Sequence, residues 1–433
     1  MLQFVPQSRL EELAAPHYAG IRQRVYTPLV TLGLFVEQAI SADPACQDAV
    51  GRSLSQRTAL GLAPCSLNTG PYCKARQRLP VELIQSLARE IAQRAEQRVK
   101  PQWQWRGRPI KLIDGTTVSM PDTAENQAVF PQNRGQAPGL GFPLARIVGV
   151  ISLASGSVLG WTVCPCEGAG TAEPMQLRRL LDDFEPGDIA IADRNFASYF
   201  MVAELAARGI DFVLREQPQR KNAPADTVRL GRRDHLVTYH KPTRPRWMDP
   251  AVYEQMPAQL QVREVWDRRW RLITSLTDAA TIPSQQIAWL YRQRWQIELD
   301  FRSIKCVMQM DVLRCKSPQM AIKEIAAHLL GYNLIRAIML AAAGLGACWP
   351  RQLSFASARR AVARCQEALR HDPRRSFASM LAQLLHAVAS ARLPQRPGRV
   401  EPRAIKRRPK PHSCMHQPRH SYRRWLRRKY RYA

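Results

Sequence analysis

The chain has 433 residues, of which 45% are hydrophobic, and this size and apolar content predict two or three packed domains and exclude a disordered chain. It carries 64 Lys and Arg residues against 35 Asp and Glu residues, a formal net charge of +29. This excess predicts a polyanionic partner, with nucleic acid the first candidate and an anionic membrane surface the second. The first residues lack the features of a secretory signal, and the ten cysteines form no C-x-x-C pair. We therefore expect a cytoplasmic protein with reduced thiols and no membrane partner.

Residues 1–100 are predicted to form a helical DNA-binding domain. Apolar residues recur at helical spacing in VELIQSLAREIAQRAEQRV, and Pro80 suits the first turn of that helix. Just upstream, a Gly-Pro turn precedes the basic segment CKARQR. Its cations Lys74, Arg76 and Arg78 could face DNA, and an ordinary charged surface helix is the alternative.

The hydrophobic period changes to that of β-strands near residue 108. Three strand-like runs follow one another, IKLIDGTTVSM, ARIVGVISLASG and SVLGWTVCPC. A helix in AEPMQLRRLLDDF, the strand DIAIAD, a helix in YFMVAELAARG and the strand IDFVLRE complete the block. The predicted order is strand, strand, strand, helix, strand, helix, strand, which is the α/β arrangement of ribonuclease H-like catalytic cores.

The second half of the chain is predicted to hold a β-rich insertion, helices and a basic tail. Residues 216–283 contain short β-rich segments separated by Pro-rich turns, and 325–347 form an apolar run interrupted by His328, Asn333 and Arg336. Because these polar residues are costly in a bilayer, we expect a buried core helix. The predicted domains are 101–345 for the catalytic domain, 346–395 for a C-terminal helical region and 396–433 for a basic, disordered, DNA-contacting tail.

Two acidic residues stand on the predicted strands of the core. Asp114 lies on the first strand, and Asp193 ends the fourth. Each has a local alternative, because an Asp before Gly115 is common in turns and Asp193 could cap the segment that follows it. Ribonuclease H-like nucleases carry carboxylates on the first and fourth strands and on a later helix, so we expect a third acid downstream.

That third acid is Glu298, within the stretch YRQRWQIELDFRSIK. Tyr291, Arg294, Glu298 and Lys305 follow the pattern Y-x2-R-x3-E-x6-K. At about 100° per residue, all four share one narrow face of a single helix, which places one carboxylate among groups that suit DNA phosphates. A solvated charged face is the alternative, and the two upstream aspartates favour the functional interpretation.

Three carboxylates from distant parts of the chain suit phosphodiester chemistry. In-line displacement is served by two divalent cations about 3.5 to 4 Å apart. Hard cations such as Mg²⁺ prefer oxygen ligands and need few of them from the protein. We therefore expect Asp114, Asp193 and Glu298 to hold two Mg²⁺ ions, with Mn²⁺ able to substitute.

These residues make the chain similar to the bacterial DDE transposases of insertion-sequence family four, the group defined by the Y-x2-R-x3-E-x6-K pattern. The similarity extends to the triplet DGT that begins at Asp114, to DRNFAS beginning at Asp193 and to the later segment HLLGYNLIRAIM. It covers about residues 50–345.

The resemblance implies cut-and-paste transposition. Such an enzyme binds the terminal inverted repeats and target DNA, pairs the ends as a homodimer and nicks the DNA with water. The freed 3′-hydroxyl is then the nucleophile, commonly through a DNA hairpin. By position, the three acids would hold the metal, and the residues that would contact the DNA backbone are Tyr291, Arg294, Lys305 and Arg194.

Two other functions stay open. A ribonuclease H-like nuclease not tied to transposon ends, or a catalytically silent transposase-derived DNA-binding protein, would share many of these features. Hairpin chemistry needs an aromatic ring for an unstacked base, and Trp247, Trp266 and Trp270 are candidates. The alternation around Trp266 and Trp270 favours a core position for at least one of them.

Overall fold

The structure, a computed structural model, describes residues 6–17, 25–217, 227–267, 270–372, 376–394 and 414–429. The described helices are α1 (Gln7–Ala14), α2 (Pro28–Ile40), α3 (Cys46–Ala59), α4 (Gly70–Arg78), α5 (Val81–Glu96), α6 (Ala124–Val129), α7 (Glu173–Arg178), α8 (Tyr199–Ala207), α9 (Pro250–Gln255), α10 (Ser284–Arg292), α11 (Trp295–Arg302), α12 (Pro318–Leu345), α13 (Phe355–His371), α14 (Phe377–Ser390) and α15 (Arg419–Lys429). The described strands are β1 (Ile110–Ser119), β2 (Leu144–Ser152), β3 (Val158–Pro165), β4 (Ile189–Ala192), β5 (Asp211–Arg215), β6 (Thr227–Gly231), β7 (Asp234–His240), β8 (Gln259–Asp267) and β9 (Trp270–Thr274).

The described strands form one sheet in the order β3-β2-β1-β4-β5-β9-β8-β7-β6. β1 pairs with β4 and β4 with β5 in parallel, whereas the other neighbouring strands are antiparallel. The predicted order of strands and helices from β1 to β5 is confirmed except for the short helix α6, which lies between β1 and β2 and is not predicted from the sequence. The β-rich segment after β5 supplies β6 to β9, and it extends the same sheet because β9 pairs with β5.

The central strands are apolar on both faces. Along β1, Leu112 packs in the cluster that contains α11 and α12, whereas Ile113 packs on the α8 side. β4 alternates in the same way, with Ile191 on the first side and Ala192 on the second. Successive strand residues point to opposite faces. Even-numbered residues of β1 and odd-numbered residues of β4 therefore face α11 and α12.

The described N-terminal helices share their core with the rest of the chain. α5 packs along α12, and its predicted apolar stripe is buried there, including Ile84 and Leu87. In α4, Lys74 and Arg78 are exposed, but Arg76 is buried. Arg76 therefore lies on the packed face of the helix and Lys74 and Arg78 on its exposed face, and contact between this helix and DNA stays a prediction. The domain boundary at residue 100 stays a prediction.

The apolar run near residue 325 belongs to α12, and its predicted burial is confirmed. α12 is long and apolar enough to cross a membrane, and 94% of its most apolar stretch is buried inside the protein. The Asn333 amide donates to the carbonyl oxygens of Ala88 and Val158, each at 2.9 Å, and accepts the Val158 N–H at 2.8 Å. Asn333 thereby links α5 to β3 across the core helix, and its polar atoms are satisfied.

The C-terminal tail departs from the expectation of disorder over α15. Arg and Lys favour helices, and Tyr422 and Leu426 lie four residues apart on one side. The segment before α15 rests on the loop between α6 and β2, where Pro418 lies against Gly139. Residues 395–413 and 430–433 lie outside the described part of the chain.

Candidate active site

The two strand-borne aspartates stand beside each other on one face of the sheet. Residues 110–112 of β1 pair in parallel with residues 189–191 of β4. Continuing this register sets Asp114 opposite Asp193 on strands about 4.8 Å apart, and both residues are on the α11 side. Asp193 also caps the turn after β4, where its carboxylate accepts the Asn195 N–H at 2.8 Å. The capping role and the position beside Asp114 therefore coexist.

Glu298 reaches the same place from α11. The stretch predicted as one helix is divided, because a tightened turn at residues 293–294 separates α10 from α11 and a π-helical turn, Ser303–Val307, follows α11. The prediction that the four residues of the motif share one narrow helix face is therefore wrong, since both turns change the angular spacing of side chains. Arg294 and Glu298 keep their i, i+4 relation.

A close packing contact lays α11 across β1 and β2. The ring of Phe301 lies 3.6 Å from the place where a Cβ on Gly149 would sit. Gly149 is the residue of β2 that pairs with Asp114. The helix that carries Glu298 therefore packs directly over the strands beside Asp114, at a distance that would still leave room for a Cβ at position 149.

A buried salt-bridge network fixes α11 to α12. The carboxylate of Asp300 is fully buried and pairs with Arg336 and with Arg351, whose Nη2 lies 2.9 Å from Oδ2. It also accepts the Tyr332 hydroxyl at 3.0 Å. Tyr332 and Arg336 belong to the segment HLLGYNLIRAIM, so this segment holds the helix of Glu298 in place.

Arg294 lies between two of the acids. Its Nη1 donates to Asp114 Oδ2 at 3.0 Å, and its Nη2 donates to Glu298 Oε1 at 2.6 Å. The pKa of Asp114 is nevertheless raised to about 6, first by burial and then by the carboxylates of Asp193 and Glu173, against the opposing effects of a backbone N–H and Arg294. Burial is therefore the main cause of the raised pKa, and the neighbouring carboxylates add to it.

Glu173 is a fourth acid of the site, and the sequence does not predict it. It begins α7, and its carboxylate occupies the space that a Cβ on Gly115 would fill, on the opposite face of β1 from Asp114 but near enough to raise the pKa of Asp114. Its Oε2 accepts Nδ2 of Asn195 at 3.3 Å, which joins it to the turn after Asp193. An acid in the first turn of a helix is ordinary in any protein. In the sequence, only the glycine at position 115 indicates this contact.

The residues predicted to contact DNA phosphates differ in accessibility. Tyr291 is buried and packs on Trp270 with ring centroids 5.4 Å apart, and burial raises the pKa of its hydroxyl. Lys305 is half-buried, and its Nζ donates to Thr116 Oγ1 at 3.3 Å on the acid-bearing face of β1. Arg194 is exposed at the start of the turn after β4. Arg194 is thus open to DNA, whereas Tyr291 is enclosed by the protein.

The segment that carries these residues matches a known family. Residues 105–334 match the family described as Transposase DDE domain, and this range contains all three predicted acids. The chain is 30% identical over 343 residues to the transposase InsG for insertion sequence element IS4 of Escherichia coli (strain K12), covering 78% of this chain and 76% of that relative. The chain belongs to the DDE transposase family.

Two further similarities concern shorter or more distant relatives of this DDE transposase. Over 64 residues it is 44% identical to the putative transposase InsL for insertion sequence element IS186A of Escherichia coli (strain K12), covering 15% of this chain and 17% of that relative. A piggyBac transposase, solved by cryo-EM in a synaptic complex with hairpin DNA, aligns with a TM-score of 0.46 and 11% identity. That alignment covers 92% of this chain and 86% of the other.

A DDE transposase acts on DNA and uses a divalent metal cofactor, and the donor chemistry of this site fits such a cofactor. Three carboxylates lie near that of Asp114, those of Asp193, Glu298 and Glu173, and Arg294 bridges Asp114 and Glu298. Within the described part of the chain, no three acidic, His or Cys side chains are arranged to hold a metal ion as they stand. Metal binding at the acids therefore requires Arg294 to turn away from Asp114 and Glu298.

The three tryptophans considered for base stacking occupy different positions in this transposase. Trp270 packs on Tyr291 and against the main apolar cluster, which confirms a core position for one of the β8–β9 pair. Trp266 and Trp247 are about half exposed, and Arg178 lies over the Trp247 ring at 4.3 Å. A base-stacking role for any of them stays a prediction.

Proposed function

We propose that this DDE transposase performs metal-dependent cut-and-paste transposition at terminal inverted repeats. One observation carries the proposal: Arg294 bridges Asp114 of β1 and Glu298 of α11, and Asp193, at the end of β4, is close enough to Asp114 to raise its pKa. Water is the first nucleophile on the DNA backbone, and the freed 3′-hydroxyl is the second. Attack of this hydroxyl on the opposite strand forms a DNA hairpin and releases the flanking DNA, and a second water opens the hairpin to give back the 3′-hydroxyl that joins the target.

The catalytic core is proposed to be ribonuclease H-like. The strand order β3-β2-β1-β4-β5, with three antiparallel strands followed by two parallel additions, supports this assignment. The position of the acids on the first strand, after the fourth strand and on a later helix supports it as well. The β-rich segment β6 to β9 is then an insertion before the helix of Glu298.

Asp114, Asp193 and Glu298 are proposed to hold two Mg²⁺ ions, for which Mn²⁺ can substitute. Mg²⁺ prefers oxygen donors and takes few of them from a protein. Bound there, the ions would activate the attacking oxygen and stabilise the leaving one. The proximity of the acids supports this role: burial is the first cause of the raised pKa of Asp114, and the nearby carboxylate of Asp193 adds to it.

Arg294 is proposed to serve two sets of partners. Its guanidinium now donates to two carboxylates, and the same forked donors suit two oxygens of a phosphate. Turned away from the acids, it would neutralise the phosphate that is being cut. It would thereby stabilise the negative charge that develops on the oxygens in the transition state.

Lys305 and Arg194 are proposed to hold the DNA backbone on either side of the acids. Lys305 extends along the acid-bearing face of β1, and Arg194 is exposed beside Asp193. Tyr291 contributes from beneath, where its ring supports the turn that carries Arg294, and its hydroxyl reaches a phosphate only if α10 shifts. These contacts position the DNA without reading its sequence.

The partners are proposed to be double-stranded DNA, as inverted repeats and as target, and a second copy of the chain. The net charge of +29 supports binding to the DNA backbone, and pairing of two transposon ends supports a homodimer. We place the protein in the bacterial cytoplasm, associated with the nucleoid when it is bound to DNA.

The test is an end-cleavage assay with the purified protein, Mg²⁺ and duplexes that carry the inverted repeats flanking the gene. Wild type should cut at the repeat ends and join them to a target duplex. Asp193→Asn should abolish cutting, while Asp182→Asn, which alters an exposed surface ion pair with Arg208, should not. Cutting without regard to the ends would favour the nuclease alternative, and end binding without any cutting would favour the silent DNA-binding protein.

A further inference from the structure

A cavity of about 680 Å³ lies between the N-terminal helices and the segment that follows the Glu298 helix. Its walls come from α2, α3, α4 and α6 on one side and from residues 314–328 on the other. We propose that this cavity is a phosphate-binding site, separate from the acids of the active site. It does not depend on the proposed transposition chemistry.

The first observation is a buried cation without an acidic partner. Arg76 lines the cavity and is only 8% exposed, and its guanidinium lies 5.0 Å from the ring centroids of both Phe35 and Tyr72. Its Nη2 donates to Cys46 Sγ at 3.1 Å and its Nη1 to Gln38 Oε1 at 3.4 Å, while Nε has no hydrogen-bond partner. Within the described residues no carboxylate pairs with it. A buried charge without a counterion is costly, so binding of an anion beside Arg76 would be favourable.

The second observation is that two helices begin at the wall of this cavity. α12, which is 28 residues long, begins after Ser317, and α3, which is 14 residues long, begins at Cys46. Neither start has a side-chain cap. Free N–H groups and the helix dipole give each start a partial positive charge of about half a unit, which favours phosphate.

The remaining charges of the wall leave the cavity electropositive. Arg314 and Lys316 add two exposed cations at its rim. Of the two acids, Glu324 already accepts the backbone N–H groups of Arg314 and Cys315, and Glu125 is exposed in the first turn of α6. Burial raises the pKa of the Cys46 thiol, so that sulfur does not act as the missing anion.

The volume indicates what could carry the phosphate. Sites for small ligands commonly measure about 300 to 1,000 Å³, so this cavity admits a phosphate with an attached nucleoside. A free nucleotide and the backbone of DNA present the same phosphate chemistry to Arg76. The source is therefore a question for experiment, whereas the recognition chemistry is fixed by the wall.

The test measures ligand-dependent thermal unfolding at constant ionic strength, with inorganic phosphate, thymidine 5′-monophosphate and a short duplex lacking inverted repeats as probes. Phosphate and nucleotide should raise the unfolding midpoint of wild type. Arg76→Gln should weaken the apparent affinity by about 10-fold or more, because it loses a charged, buried donor. Lys316→Gln should weaken it by about 2- to 5-fold, and Lys74→Gln, an exposed lysine of α4 outside the cavity, should leave the affinities for phosphate and the nucleotide unchanged.

Comparison of the three probes shows whether the phosphate comes from a free nucleotide or from DNA, and it can overturn the proposal. An Arg76-dependent shift that is strongest for the nucleotide assigns a free nucleotide, and one that is strongest for the duplex assigns the DNA backbone. Equal shifts in wild type, Arg76→Gln and Lys316→Gln would overturn the site. If Arg76→Gln fails to fold, the comparison of Lys316→Gln with Lys74→Gln decides. The experiment does not measure DNA cleavage, so a negative result would not bear on the proposed transposition chemistry.

Discussion

Two groups of acids and arginines lie two residues apart on α11, and they are built in opposite ways. Around Asp300, one fully buried carboxylate pairs with Arg336 and Arg351 and accepts a tyrosine hydroxyl. Around Glu298, several carboxylates gather near a single bridging arginine, and the pKa of Asp114 is raised to about 6.

The difference separates a structural cluster from a functional one. The Asp300 group is closed, because each of its charges has partners inside the protein, and closed groups hold helices together. The Glu298 group is open, because its negative charge exceeds the positive charge available to it. An open group of carboxylates is suited to take up cations from outside, whereas the Asp300 group, with two arginines to one carboxylate, is not.

Among substitutions in these two groups, the largest expected effect is the loss of DNA cutting when Glu298 is replaced. Glu298→Gln should lower end cleavage by at least about 10³-fold, since it removes a proposed metal ligand and with it several kcal/mol of transition-state stabilisation. The unfolding midpoint should change little, because the Glu298 side chain is partly exposed. Cleavage within tenfold of wild type would contradict the assignment.

The next effect is on stability and belongs to the closed group. Asp300→Asn should lower the free energy of unfolding by about 3 kcal/mol, because the buried Arg336 and the partly buried Arg351 lose the carboxylate that they share. Urea denaturation followed by circular dichroism measures this loss. Asp182→Asn, at an exposed pair, is the matched control and should change stability little. A stable Asp300→Asn protein would show that α11 is held mainly by apolar packing.

In the Glu298 group, replacing the acid Asp114 by its amide should raise the free energy of unfolding instead of lowering it. The pKa of Asp114 lies at about 6 when folded, above its ordinary value of 3.8, so the folded state binds the proton more tightly and wild-type stability rises as the pH falls through this window. Asp114→Asn should therefore stabilise the protein at pH 7.5, by up to about 3 kcal/mol. The gain should vanish near pH 4, and thermal unfolding at both pH values checks it. Destabilisation of the Asp114→Asn variant at pH 7.5 would contradict the raised pKa of Asp114.

The smallest effect concerns Glu173. Glu173→Gln keeps an oxygen for the Asn195 amide but removes a negative charge beside Asp114. The pKa of Asp114 should move down towards its ordinary value, since the neighbouring carboxylate is one cause of its rise. The pH at which Asp114→Asn loses its stability advantage should fall by a few tenths. Superimposable pH profiles with and without Glu173 would exclude an electrostatic role for this residue.

Much of the core and of the site could be predicted from the sequence, because both depend on local regularities. Alternating apolar runs predict β1 to β5, and the spacing of Tyr291, Arg294, Glu298 and Lys305 identifies the motif. The turn that divides α10 from α11 could not be predicted, since the same residues satisfy one continuous helical pattern. Packing between distant segments decides such details.

Contacts between distant parts of the chain explain the other differences. Glu173 joins the site because Gly115, 58 positions earlier in the chain, leaves room for it. Arg76 is buried because α4 turns that side towards Phe35 and the segment after α11. The tail helix α15 begins where Pro418 meets the loop at Gly139. None of these pairings leaves a periodic signal in a single sequence.

The most direct test of the central claim is a titration of the full-length protein with Mn²⁺, followed by electron paramagnetic resonance. Wild type and Asp182→Asn should bind Mn²⁺ with competition by Mg²⁺, and Asp114→Asn, Asp193→Asn and Glu298→Gln should each weaken that binding by about tenfold or more. Unchanged Mn²⁺ affinity in all three active-site variants would contradict the claim that these acids hold the metal.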